Sequence, residues 1–135
     1  MATFTKFQPF VEAVAEKKHN LGSDQLVIAL TNTVPVNTNA VLTDLTQVSY
    51  TNLSSRNVTT STSAQTSGTY KLTLADLVLT ASGAVATFRY VVLYNDTATN
   101  DDLIGWWDYG SGVTLANGET FTIDFDGSAG VLTIA

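Results

Sequence analysis

The sequence predicts a mainly β fold, an antiparallel β-sandwich or jelly-roll-like barrel with one N-terminal α-helix. Three observations predict it. Roughly seven short stretches are rich in β-branched and aromatic residues, and turn signals separate them at regular intervals. Only one stretch, at the N-terminus, carries apolar residues at helical spacing. Charged residues make up only 13% of the chain, and Thr, Ser and Asn take their place, which suits exposed β faces and loops. The 135 residues fit one domain, 1–135, built from a helical segment over 1–22 and a β body over 23–135. A hydrophobic content of 44% places the chain among ordered globular proteins.

Taken in order, Thr5 to His19 is the helix candidate. Phe7, Phe10, Val11, Val14 and Ala15 form one apolar stripe, Thr5 is placed to cap the start, and Pro9 is tolerated in the first turn. Lys17, Lys18 and His19 complement the negative end of the helix dipole, and Gly22 can end it. Asp24 to Asn32 reads as a strand around Leu26 to Leu30. Thr33 to Ala40 is a loop, and Val41 to Val48 fits either a helical turn or an edge segment. Asn57 to Gln65, within a Thr/Ser-rich stretch, fits an exposed edge strand or a loop. Thr69 to Leu74 alternates cleanly and predicts a half-buried strand, which Leu77 to Thr80 could continue after a bend.

Ala84 to Gly110 is the organising stretch. Its first half, Ala84 to Tyr94, is apolar on both alternating sides, as expected of a central strand covered on both faces. Arg89 breaks the pattern and requires a partner or an exit to solvent. Leu103 to Tyr109 is the second strand and holds both tryptophans, Trp106 and Trp107. Gly110-Ser111-Gly112 reads as a turn, followed by a short strand at Val113 to Leu115 and the turn Ala116-Asn117-Gly118-Glu119. Thr120 to Phe125 alternates with Phe121, Ile123 and Phe125 inward. A turn at Asp126 to Gly130 and a short strand at Val131 to Ile134 close the chain. The expected core is Leu72, Leu74, Phe88, Tyr90, Val92, Phe121, Ile123 and Phe125.

Composition narrows the function. There is no cysteine and a single histidine, so thiolate chemistry and disulfides are excluded. No Ser sits in a Gly-x-Ser-x-Gly elbow, and the acids fall mainly in turns, so no catalytic set assembles from the sequence. The net charge is −6, and no Lys or Arg follows Arg89, an arrangement that argues against nucleic-acid binding. The N-terminus lacks an apolar leader, and no apolar run approaches the ~18 residues of a membrane span. Asp96, Asp101 and Asp102, or Asp124 and Asp126, could offer oxygen ligands to calcium, but neither group has the spacing of an EF-hand, and no metal or cofactor is expected. His19 could titrate near neutral pH or ligate a metal; a residue at a helix end is the simpler reading. The Asn-x-Ser/Thr matches at Asn52, Asn57 and Asn95 follow from an Asn/Thr-rich composition. Adjacent tryptophans on a strand point to opposite faces. One of the pair therefore needs a cover other than the main core, which makes Trp106 and Trp107 candidate interface residues. The helix stripe of Phe7, Phe10, Val11 and Val14 is a second candidate, because it is broad for a helix on a small sandwich.

The chain resembles a group of small structural proteins of tailed bacteriophages. The segments that carry the resemblance are Met1 to Lys17, Leu26 to Pro35, Ser67 to Leu74, Phe88 to Gly110 and Gly118 to Ala135; it is weakest from Thr46 to Thr66. The group looks like capsid decoration (cement) proteins. The resemblance brings no catalytic motif. It implies a non-enzymatic virion protein, made in the host cytoplasm, that binds the major capsid protein on the capsid surface, with a trimer favoured. A tail or neck component, such as a tube or connector subunit, is the runner-up. A carbohydrate-binding attachment module using exposed aromatics is the third expectation.

Overall fold

The computed structural model describes residues 2–135. In chain order its elements are β1 (Thr5–Lys6), α1 (Gln8–Ala15), β2 (Leu26–Thr31), a 3-10 turn at Leu42–Asp44, β3 (Asn57–Val58), β4 (Thr60–Thr66), β5 (Thr69–Leu74), β6 (Leu77–Thr80), β7 (Phe88–Asn95), β8 (Leu103–Val113), β9 (Thr120–Ile123) and β10 (Leu132–Ile134). The fold is mainly β and sandwich-like. A five-stranded sheet runs β1-β8-β7-β2-β3, a three-stranded sheet β10-β5-β4, and β6 pairs with β9; every pairing is antiparallel.

The large sheet is apolar on both faces, as the sequence of β2 and β7 requires. All six residues of β2 are buried. On one face Ile28, Leu30, Val91, Leu93 and Ile104 pack with Leu72, Leu74, Leu79 and Ile123 from the smaller sheets, forming the main core. On the other face Val27, Ala29, Val92, Tyr94 and Leu103 pack with Phe7, and Leu42 and Leu45 of the long β2–β3 connection lie over them. A covered second face explains why these strands read as continuous apolar runs instead of alternating ones.

Two irregularities in β8 set which side chains reach which face. Leu93 lies opposite Gly105 and Tyr94 opposite Leu103, so Ile104 is an extra residue. It turns into the main core while its neighbour Leu103 faces the second one. Such a bulge changes the alternation of the strand beyond it. The larger irregularity lies at the other end. Phe88 pairs with Val113 and Tyr90 with Asp108, and the intervening Gly110 has φ +98°. The expected turn at Gly110-Ser111-Gly112 and the expected strand at Val113 to Leu115 are therefore replaced by a wide bulge inside one long strand. Across it Phe88 joins the main core, although strict alternation would place it with Val92 in the second.

The N-terminal helix is shorter than its apolar spacing predicts. Thr5 and Lys6 are extended and pair with Trp106 and Gly105, so Thr5 caps nothing; Phe7 occupies the N-cap position and makes no side-chain capping bond. Edge pairing with β8 satisfies backbone groups that helix residues at this end would leave open. The helix stops well before Gly22. Lys17 adopts φ +66°, the Lys18 N–H donates to the Ala13 carbonyl at 2.9 Å and the Lys17 N–H to that of Val14 at 3.3 Å. This is a Schellman end with lysine in the position glycine usually takes. His19 thus lies outside the helix. Leu77 to Thr80 does not extend β5 but pairs with β9. The stretch around Val58 does form edge strands, β3 and β4.

Candidate functional site

The most distinctive surface is an aromatic seam where β8 leaves the core and passes β9. A solvent-open depression of about 280 Å³ is lined by Phe4, Trp107, Tyr109, Phe121, Phe125 and Val131, among others. The rings form two series, one through Trp107 and one through Phe121. Phe4 lies 5.2 Å from Trp107, Trp107 5.7 Å from Phe125, Tyr109 5.2 Å from Phe121, and Phe121 5.3 Å edge-on to Phe88 in the core. Edge-to-face and tilted contacts of this kind are favourable beyond the area they bury. Tyr109, at 55% exposure, is the most open of them. Asp124 and Asp126 also border the depression. The Asp126 carboxyl is held below the usual carboxylate range by the Ala129 and Ser128 N–H groups, and Lys71 adds a smaller pull in the same direction.

Each part of the seam has a local cause. β8 runs past the end of its pairing with β1, which covers only Gly105 and Trp106, so among the described residues the strand from Trp107 outward has no paired strand on that side. Phe4 fits because residue 105 is glycine: a Cβ there would lie 2.2 Å from the Phe4 ring. Phe121 sits between buried Phe88 and open Tyr109 and is itself half-buried, less enclosed than its place in the alternation of Thr120 to Phe125 predicts. The other expected core residues, including Leu72, Phe88, Val92 and Phe125, are buried.

The two tryptophans separate as opposite-facing neighbours should. Trp107 joins the main core side and the seam. Trp106 packs against the second core, 5.9 Å from the Tyr90 ring, and its Nε1–H donates to the Asn37 Oδ1 at 3.2 Å. The cover that the sequence demanded for the second tryptophan is thus supplied in part within the chain, by the β2–β3 connection. The helix stripe divides similarly. Phe7 and Phe10 are buried and Val14 is partly buried against the core, whereas Val11 and Ala15 face solvent. Phe7 and Phe10 are therefore packing residues within the chain, a correction to their reading as interface candidates; Val11, Trp106 and Trp107 keep accessible surface.

The remaining polar candidates are tied up locally. Arg89 finds the partner it required: its Nε and Nη2 donate to the two carboxylate oxygens of Asp108 at 2.8 and 3.0 Å. That hydrogen-bonded pairing lowers the Asp108 pKa, and the Gly110 N–H lowers it further. Asp102 is buried. Among the described residues no group of three or more His, Asp or Glu is arranged to hold a metal ion. No described helix is long and apolar enough to cross a membrane. Asn95 is fully buried, which removes it as a glycan acceptor. No protein-family model matches the chain, and no curated protein or solved structure shows significant similarity to it.

Proposed function

We propose that this chain is a non-enzymatic virion structural protein that binds and strengthens the outside of a tailed-bacteriophage capsid. The observation that carries the reading is the aromatic seam. It combines a large ring surface with acidic residues and leaves Tyr109 open, the composition expected of a protein-contact patch with an aromatic anchor and a polar rim. The segments that resemble phage decoration proteins supply β1, α1, β2, β5, β7, most of β8, β9 and β10, while the stretch of weakest resemblance supplies the edge strands β3 and β4. The resemblance therefore follows the frame that builds the seam.

The partner on this reading is the major capsid protein, and a trimer at a local symmetry axis suits the role. A cyclic oligomer lets one small subunit touch several capsid subunits, multiplying weak contacts through avidity. Electron microscopy of virions labelled on this protein tests the proposal. A lattice of label over the head supports it; label confined to the tail or neck assigns the chain to that apparatus instead. Absence from the virion together with retention on a glycan array would make the seam a carbohydrate site.

A further inference from the structure

We propose that His19 is an acid-sensitive latch that ties the end of the N-terminal helical segment to the loop between β7 and β8. The inference rests on hydrogen-bond polarity around one buried amide and is independent of the function proposed above. Asn95, at the end of β7, is 0% exposed. Its Oδ1 accepts the Thr97 N–H at 3.0 Å and the Ala98 N–H at 3.2 Å. Backbone N–H groups only donate, so the amide oxygen must face them. The amide nitrogen then faces the other way, donating to Asp24 Oδ2 at 2.6 Å and to His19 Nδ1 at 3.0 Å.

An amide nitrogen has no lone pair to offer, so the His19 Nδ1 must be the acceptor. The ring is consequently neutral, with its hydrogen on Nε2. That Nε2 is buried and has no hydrogen-bond partner. Adding a proton would place a second N–H at Nδ1, directly against the Asn95 NH₂, and would charge a ring packed 5.1 Å from Phe10. Two donors cannot share one hydrogen bond, so proton uptake at His19 and the closed joint exclude each other.

The charged groups that face the ring are Asp102 from the end of the β7–β8 loop and Asp24 and Lys18 from its own segment. Burial is the largest influence and lowers the imidazole pKa below 6.5; Asp102 and Asp24 oppose it, and Lys18 reinforces it. The sign follows. A cationic acid with a depressed folded pKa takes up its proton more readily in the opened state. The closed joint is thus at full strength above pH 6.5 and weakens as pH falls from there toward the lower folded value. The joint holds more than one residue. The Gln25 N–H donates to Thr97 Oγ1 at 2.8 Å, the Asp96 N–H to the Gln25 carbonyl at 2.9 Å, and the Asn20 N–H to Asp24 Oδ2 at 2.7 Å. Opening it releases His19 and residues 96–98 from each other, at the opposite end of β7 from the wide bulge, while Leu21 stays in the main core and Asp101 and Asp102 stay tied to the β2–β3 connection.

His19 is the only histidine in the chain, so its titration can be read without assignment ambiguity. The test follows amide hydrogen exchange of the full chain by NMR from neutral to mildly acidic pH, corrected for intrinsic rates, in the wild type and in His19→Gln. Protection of Thr97 and Ala98 is expected to fall by up to about tenfold per pH unit within the window below pH 6.5. In His19→Gln that pH dependence should vanish. Unchanged protection at Thr97 and Ala98, or an equal fall in His19→Gln, overturns the proposal. Should the variant not fold, ring nitrogen shifts of the wild type decide: an Nε2–H tautomer with a pKa below 6.5 supports the latch, and an Nδ1–H tautomer or a pKa at or above 6.5 refutes it.

Discussion

β7 and β8 are hydrogen-bonded neighbours, yet they have opposite fates. Every residue of β7 except Arg89 is buried. β8 begins equally buried at Leu103 and Ile104, becomes half-buried at the tryptophans and ends largely in solvent. The difference lies in neighbours rather than in composition. β7 has a strand on each side and an apolar layer over each face; β8 loses β1 after Trp106 and carries its rings out past the end of the covering layers. Aromatic residues therefore mean stability in one strand and surface in the other, and only the second is available to a partner.

Breaking β7 should have the largest effect. Phe88→Ala removes a fully buried ring and should cost ~3–5 kcal/mol in chemical denaturation. A cost near that of an exposed site would mean that the bulge does not deliver Phe88 to the core. Gly105→Ala tests the start of the seam. Its methyl would collide with Phe4 and with the Thr5 carbonyl oxygen, so the N-terminal strand must shift, at ~1–3 kcal/mol. Tryptophan emission should move to the red as Trp107 loses its ring neighbour. Phe121→Ala should fall between the strands' extremes, at about 1–2 kcal/mol for a half-buried ring; a loss equal to that of Phe88→Ala would put Phe121 wholly in the core.

The smallest effect is expected at Arg89 and Asp108, the cross-strand pair where β7 and β8 begin to diverge. Both side chains are well exposed, where ion pairs contribute little. The Asp108 pKa is lowered from 3.8 by the Arg89 hydrogen bond first and the Gly110 N–H second. A depressed carboxylate stabilises the fold above its unfolded pKa and loses that contribution as pH falls through the folded value. The denaturation midpoints of wild type and Arg89→Met should therefore differ slightly at neutral pH and converge in acid below 3.8. A gap that widens in acid would contradict the assignment.

How much of this was legible in the sequence differs between the two strands as well. β5 has the bounds of its alternating stretch, Thr69 to Leu74, with Leu72 and Leu74 in the core, although Thr73 on the other side is buried as well. The double apolar pattern of Ala84 to Tyr94 announced a central strand, though pairing starts only at Phe88; Val85 instead donates its N–H to the Leu115 carbonyl in an irregular approach. Bulges leave no comparable signal. Gly110-Ser111-Gly112 has the composition of a turn, and nothing local says that the strand continues through it. The helix is shorter than its spacing predicts for a related reason: the spacing of Phe7, Phe10, Val11 and Val14 reports helix, whereas the capture of Thr5 and Lys6 by β8 is a long-range event. Trp107 was recognisable as a site residue from the Trp-Trp pair. Its ring partners Phe4 and Phe125 were not, since they arrive from opposite ends of the chain and only the three-dimensional fold brings them together.

On the function proposed above, the outer half of β8 is an assembly surface. Its most direct test is the binding of purified Tyr109→Ala to phage heads stripped of this protein, beside wild type and Val78→Ala, a variant at another exposed apolar site (Val78 is 51% exposed). Truncating the open ring should leave the denaturation midpoint almost unchanged, within ~0.5 kcal/mol of stability. It should lower head binding at least about tenfold, the loss of a contact worth ~1.4 kcal/mol or more, while Val78→Ala binds as wild type does. Full binding by Tyr109→Ala, with wild type binding the same heads, would show that the outer half of β8 is not the contact surface.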